Sequence, residues 1–170
     1  MERLIEKLFY IKRKSKTKIE YHFLQIKERD DYFVCLAEQS NFHIVKTEKL
    51  QTKEQFAQIL LNIYKSMYGA DNVELEQRYR LLSEDQNKAN TVFKFQTYLC
   101  EKEPDDIVYE YYEYNPHRDS FYGYDFIKCR KDTPILEVIS HFLEISDLVS
   151  EDDELVFKKD VPVKRDFIVR

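Results

Sequence analysis

An aromatic segment at residues 107–114 constrains the fold of this chain more than any other part of the sequence. It reads Ile-Val-Tyr-Glu-Tyr-Tyr-Glu-Tyr, and aromatic and β-branched residues of this kind favour strands over helices. An Asn-Pro turn follows at residues 115–120, and a second aromatic segment covers residues 121–129. The two segments predict an antiparallel β-hairpin.

Side-chain alternation divides the tyrosines of this hairpin between its two faces. Successive side chains of a strand point to opposite sides, so Tyr111 is expected opposite Tyr112 and Tyr114. Tyr122 and Tyr124 are expected to share a face. Since one face of such a sheet packs on the core, part of the tyrosine cluster is expected on the outer side.

Three helices are predicted around this hairpin. Apolar residues at helical spacing predict a short amphipathic helix over residues 2–10. Thr52 and Gln55 fit a capping box that begins a long helix, and Gly69 is placed to end it. Asp132 or Thr133 is placed to cap a second long helix, with Pro134 in its first turn. The apolar stripe expected on the first long helix comprises Phe56, Ile59, Leu60, Ile63 and Met67.

The predicted fold class is α+β, a mostly antiparallel sheet packed by two long helices and a short N-terminal helix. Residues 73–82 fit either a strand or a helix. A chain of 170 residues without a Pro/Gly/Ser-rich linker predicts one domain over 1–170, with an exposed basic loop at about 12–18. Further strand patterns are present at residues 19–26, 32–36, 42–45, 91–99, 155–157 and 167–169.

Composition excludes several classes of site and compartment. With two glycines in the chain, neither a phosphate-binding loop nor a dinucleotide fingerprint can be built, so no cofactor is predicted. The four histidines are scattered, and no metal site is predicted. Three widely spaced cysteines, no secretory signal and no long apolar run predict a cytoplasmic protein without a membrane segment.

The turn of the hairpin carries the groups best suited to catalysis. His117 is a candidate general base near neutral pH, Arg118 is a candidate anion-binding group, and Asp119 lies beside them. These three residues predict, as an alternative, a small hydrolase or nucleic-acid-processing enzyme. A polar hairpin turn without catalytic function accounts for the same residues.

The favoured prediction is a non-enzymatic protein-binding domain of the inhibitor, immunity or adaptor type. Tyrosine is enriched at interface hot spots, and the acids between the tyrosines suit a partner with a basic surface. The predicted contact residues are Glu110, Tyr112, Glu113, Tyr114, Tyr122 and Tyr124. Nucleic-acid binding is a further alternative, for which the candidate residues are Lys12, Arg13, Lys14, Lys16 and Lys18.

Overall fold

The computed structural model describes residues 2–24, 26–28, 33–35, 52–82 and 91–158. The predicted strands at 42–45 and 167–169 lie outside these residues. The described strands are β1 (Glu2–Lys14), β2 (Ile19–Phe23), β3 (Ile26–Glu28), β4 (Phe33–Cys35), β5 (Val73–Leu82), β6 (Val92–Leu99), β7 (Asp106–Asn115), β8 (Ser120–Arg130) and β9 (Glu154–Phe157). The described helices are α1 (Lys53–Tyr68), α2 (Ile135–Ile145) and a short 3₁₀ helix, Ala70–Asn72.

The described residues form two compact units. One unit contains Met1–Lys7 and Arg78–Lys158 and is called the α2 unit; the other contains Leu8–Gln77 and is called the α1 unit. Strands β1 and β5 each contribute residues to both units, because the boundaries fall within these strands.

The α2 unit contains the predicted tyrosine hairpin. Strands β5 to β8 pair antiparallel in chain order, and β9 pairs parallel with the N-terminal part of β1. Helix α2 packs on one face of this sheet, and its Phe142 ring stacks on Tyr111 at a centroid distance of 5.0 Å. The buried core comprises Ile5, Tyr79, Leu81, Phe93, Tyr111, Val138, Ile139, Phe142, Leu143, Val149 and Leu155.

The α1 unit is built from the β1–β2 hairpin, the first part of β5, helix α1 and the antiparallel pair β3–β4. The capping box of Thr52 and Gln55 is confirmed, since each side chain accepts a hydrogen bond from the other residue's backbone N–H. Gly69 ends the helix with φ at +95°, a conformation that residues with a side chain rarely adopt. The buried core comprises Phe9, Ile11, Leu24, Phe56, Ala57, Leu60, Leu61, Tyr64 and Val73.

The predicted N-terminal helix is wrong. Residues 2–14 form strand β1, and the described residues contain two α-helices rather than three. Ile5, Phe9 and Ile11 are buried, and their even spacing is that of a strand. A helix of nine residues is marginal by itself, whereas this segment pairs with both β2 and β9. The sheet partners, which local sequence does not show, therefore decide its conformation.

The structure also decides the conformation of residues 73–82 and the length of the basic loop at 12–18. Residues 73–82, which fitted either conformation, form β5. The predicted basic loop at 12–18 is shorter, because residues 12–14 continue β1 and pair with β2, leaving a turn that begins at Ser15 and is closed by a hydrogen bond to Lys18. Within the described part of the chain, no helix has the length and apolar character needed to cross a membrane.

Candidate binding surface on strands β6 to β8

The two faces of strands β6 to β8 have different surroundings. The helix face packs on α2 through Phe93, Phe95 and Tyr111. The outer face is the opposite one, and by alternation it carries Gln96, Tyr98, Glu110, Tyr112, Gly123 and Phe126. Tyr98 is 41% exposed and Phe126 is 58% exposed, so the outer face presents large aromatic side chains to solvent.

Glu110 occupies the centre of the outer face. Its register partners are Gln96 on β6 and Phe126 on β8. The Tyr98 hydroxyl donates to Oε1 of Glu110 at 2.7 Å, and the Tyr112 hydroxyl donates to the same oxygen. Two phenols therefore hold one carboxylate in a fixed position on the outer face of β7.

Gly123 makes room for this arrangement. It pairs with Tyr112, and a Cβ atom at this position would lie 3.3 Å from Oε2 of Glu110 and 3.6 Å from the Tyr112 ring. The missing side chain therefore lets the Glu110 carboxylate and the Tyr112 ring lie against the β8 backbone.

A second carboxylate is held by two phenols on the helix face. The Tyr111 hydroxyl donates to Oε1 of Glu113 at 2.9 Å, and the Tyr122 hydroxyl donates to Oε2 at 2.8 Å. Tyr111 is fully buried, whereas Tyr122 and Tyr124 are each 44% exposed. Here each carboxylate oxygen has its own phenol donor, in contrast to Glu110.

These contacts raise the pKa values of the tyrosines. Hydrogen bonding to Glu110 is the main cause of the raised pKa values of Tyr98 and Tyr112. Burial raises the pKa of Tyr111, and burial together with the hydrogen bond to Glu113 raises the pKa of Tyr122 to about 12. The phenols therefore remain protonated donors at neutral pH and are not activated as bases or nucleophiles.

Replacing either carboxylate should lower the pKa values of the tyrosines that donate hydrogen bonds to it. Glu113→Gln removes the acceptor charge, so the pKa of Tyr122 should fall from about 12 towards the ordinary phenol value of 10.0. The matched variant Glu110→Gln should instead lower the pKa values of Tyr98 and Tyr112. Absorbance at the tyrosinate band, or ring NMR signals followed with pH, measures these shifts.

The same titration has a consequence for stability. A raised phenol pKa in the folded chain favours folding below the unfolded pKa of about 10, and this contribution is lost as pH rises through the folded value. For Tyr122 the window is pH 10 to about 12. Stability that is unaffected by Glu113→Gln across this window would contradict the described hydrogen bonds.

Cations already rest on an aromatic ring at one end of the outer face. The ammonium of Lys94 lies 4.4 Å from the centroid of the Phe121 ring, and the guanidinium of Arg78 lies 4.8 Å from it. Both distances are within the range of cation–π attraction.

The structure separates the six predicted contact residues into two groups. Glu110, Tyr112 and Tyr114 lie on the outer face, and Tyr114 donates a hydrogen bond to Asp119. Glu113, Tyr122 and Tyr124 lie on the other face, where the two tyrosine rings contact each other. Sequence reasoning missed Tyr98 and Phe126, the most exposed rings beside Glu110. Alternation in β6 was an available signal for Tyr98, whereas local sequence does not show the register shift that places Phe126 on the outer face.

Comparison with known proteins gives no relative. The sequence matches no protein-family model, and no curated protein or solved structure matches it.

The residues of the alternative catalytic prediction lie in the exposed turn between β7 and β8. The backbone N–H of His117 donates to the Asn115 side chain at 2.9 Å, and Asp119 adopts a positive φ of 47°. Asp119 accepts from Tyr114, and no hydrogen bond joins it to His117 within the described residues. Among the described residues, His117 and Asp119 are therefore not joined as a base and its orienting acid, and the catalytic alternative stays a prediction.

The basic residues of the β1–β2 hairpin meet acids in the same unit. Lys12 lies 3.5 Å from Glu74, and Arg13 lies 3.7 Å from Glu20. Lys18 also pairs with Glu20 at 2.6 Å, which lowers the pKa of that carboxyl. Lys14 and Lys16 are the other two residues of the predicted nucleic-acid-binding set.

Among the described residues, no three His, Cys, Asp or Glu side chains are grouped so as to hold a metal ion.

Proposed function

We propose that this chain is a non-enzymatic protein-binding domain, of the inhibitor, immunity or adaptor type, that contacts its partner through the outer face of β6 to β8. One observation carries the proposal. The Glu110 carboxylate is held between two phenols beside the exposed rings of Tyr98 and Phe126. Rigid aromatic side chains around a positioned polar group are typical of interface hot spots.

The charge of this centre favours a basic partner. Within the described residues, the side-chain contacts of Glu110 are hydrogen bonds from tyrosines, and none is an ion pair. A partner cation that approaches this carboxylate would gain attraction without first breaking an existing salt bridge.

The protonation states support binding rather than catalysis. The pKa values of Tyr98 and Tyr112 are raised, so these phenols act as hydrogen-bond donors rather than as bases. The same contacts fix the side chains before a partner arrives, which reduces the entropy lost on binding.

The proposal is tested by a pair of variants that each remove two exposed rings. The outer-face variant Tyr98→Ser/Phe126→Ser should lose the native partner, whereas the helix-face variant Tyr122→Ser/Tyr124→Ser should retain it. Each protein is tagged and used for affinity capture from the native cell. Mass spectrometry then identifies the proteins that bind wild type but not the outer-face variant, whether or not they also bind the helix-face variant. The identified partner is then purified for calorimetry.

Calorimetry decides the outcome. Loss of a hot-spot ring typically weakens binding by roughly 30-fold or more, so the outer-face variant should show at least this loss. Circular dichroism must show both variants folded. An outer-face variant with wild-type affinity would refute the proposed contact surface, and so would equal losses in the two variants.

A further inference from the structure

Glu110 differs from those acids of the described residues that form ion pairs. Glu6 pairs with Arg80, Glu20 pairs with Lys18, and Glu103 pairs with Lys128. The contacts of Glu110 within the described residues are the two phenol hydrogen bonds and its place beside Gly123. It is therefore an oriented carboxylate without a cation partner in the part of the chain that the structure describes.

The free capacity of Glu110 lies on one oxygen. Both phenols donate to Oε1, and no hydrogen bond reaches Oε2 from the described residues. Glu113 differs, because Tyr111 occupies one of its oxygens and Tyr122 the other. Because a carboxylate oxygen accepts up to two hydrogen bonds, Oε2 of Glu110 keeps both acceptor positions for an incoming donor, whereas each oxygen of Glu113 already holds one phenol.

Aromatic residues are the neighbours of Glu110 on the outer face. Phe126 is the register partner of Glu110, and the Tyr112 ring adjoins Gly123, over which Oε2 lies. The combination of a carboxylate with exposed ring faces is suited to an organic cation, which takes a charged hydrogen bond and a cation–π contact together.

We infer that the outer face binds an arginine side chain of the protein partner, with a guanidinium N–H donating to Oε2 of Glu110 and the guanidinium plane against Phe126. This inference rests on the proposed function and names the chemistry that the partner supplies.

Arginine fits better than lysine for two reasons. The site lies on an open strand surface, where a planar cation can rest flat on a ring and reach sideways to the carboxylate, and guanidinium gives up its hydration more readily than ammonium. In the α1 unit the Arg13 guanidinium meets a ring and a carboxylate together, since it lies 3.8 Å from the centroid of the Tyr68 ring and 3.7 Å from a Glu20 oxygen.

The test uses small probes and NMR of the ¹⁵N-labelled full chain. N-acetyl-arginine N-methylamide should bind at millimolar concentration and shift the amide signals of Tyr98, Glu110, Gly123 and Phe126. The citrulline counterpart, which has nearly the same shape but no charge, should leave these signals in place. The lysine counterpart should bind more weakly than arginine.

Variants at the two carboxylates provide the matched comparison. Glu110→Gln should weaken binding of the arginine probe by at least about tenfold, because it removes the charge from the hydrogen bond. Glu113→Gln should leave the affinity unchanged. Gly123→Ala should also weaken binding while the chain stays folded, because the added Cβ would lie 3.3 Å from Oε2 and displace it.

The outcomes separate this inference from the proposed function. Equal binding of arginine and citrulline, or equal losses in Glu110→Gln and Glu113→Gln, would overturn the arginine site. Loss of the native partner in the outer-face variant, without any probe binding at Glu110, would also overturn it and leave the proposed function standing. If the probe binds at Glu110 but the native partner binds the outer-face variant with wild-type affinity, the proposed function is overturned instead.

Discussion

Replacing Phe142 by alanine should lower the free energy of unfolding by about 3 to 5 kcal/mol, because it opens a large cavity beneath the tyrosine sheet. Phe142 is fully buried, stacks on Tyr111 at 5.0 Å and contacts the Phe95 ring at 5.8 Å. Since small domains are stable by about 5 to 15 kcal/mol, this loss is a large part of the total. Urea unfolding followed by circular dichroism measures it.

A matched substitution on the same helix separates packing from helix propensity. Ile145 lies at the end of α2 and is exposed, so Ile145→Ala should change stability by less than about 1 kcal/mol. If Phe142→Ala and Ile145→Ala had similar effects, the described packing of α2 on Tyr111 would be incorrect.

The parts of the fold that follow from local sequence were predictable. The capping box at Thr52 and the turn after Asn115 depend on side chains that bond to nearby backbone, so short motifs suffice to place them. The second helix shows the limit of this reasoning. A capping residue at 132 or 133 was expected, yet α2 begins at Ile135 with Pro134 as its N-cap and without a side-chain capping bond.

The elements that depend on partners distant in sequence were not predictable. Residues 2–10 carry apolar side chains at a spacing that fits a short helix, and pairing with β2 and β9 makes them a strand instead. Met67 shows the same effect on α1, because it belongs to the expected apolar stripe and is 46% exposed. Ala57 and Tyr64 are buried in its place, since the position of the sheet determines which face of the helix is covered.

The candidate site was predictable only in part, because register is a tertiary property. Alternation correctly separates Tyr111 from Tyr112, but it does not show that Gln96 pairs with Glu110. A register shift opposite Tyr111 and Tyr112 then changes the alternation of β8. Tyr122 and Phe126 are four positions apart, a spacing that places two residues of a regular strand on the same face, yet they pair with Glu113 and Glu110, which point to opposite faces.

Replacing Leu60 by alanine should lower the free energy of unfolding by about 2 to 5 kcal/mol. Leu60 lies on α1 and is buried in the core of the α1 unit among Phe9, Phe56 and Val73. We propose that the chain unfolds as a single domain, because β1 and β5 run as continuous strands through both units. The destabilisation should then reach amides of α2 as well as those of α1.

Native-state hydrogen exchange in dilute urea measures this spread, because protected amides report the opening of each element separately. In Leu60→Ala, the slowest amides of α1 and α2 should lose protection by the same free energy. Met67→Ala is the matched control, since Met67 lies on the same helix but is largely exposed, and it should change protection in either helix by less than about 1 kcal/mol. Loss of protection confined to α1 would show that the two units unfold independently, because a cooperative domain transmits the cost of one cavity to every globally protected amide.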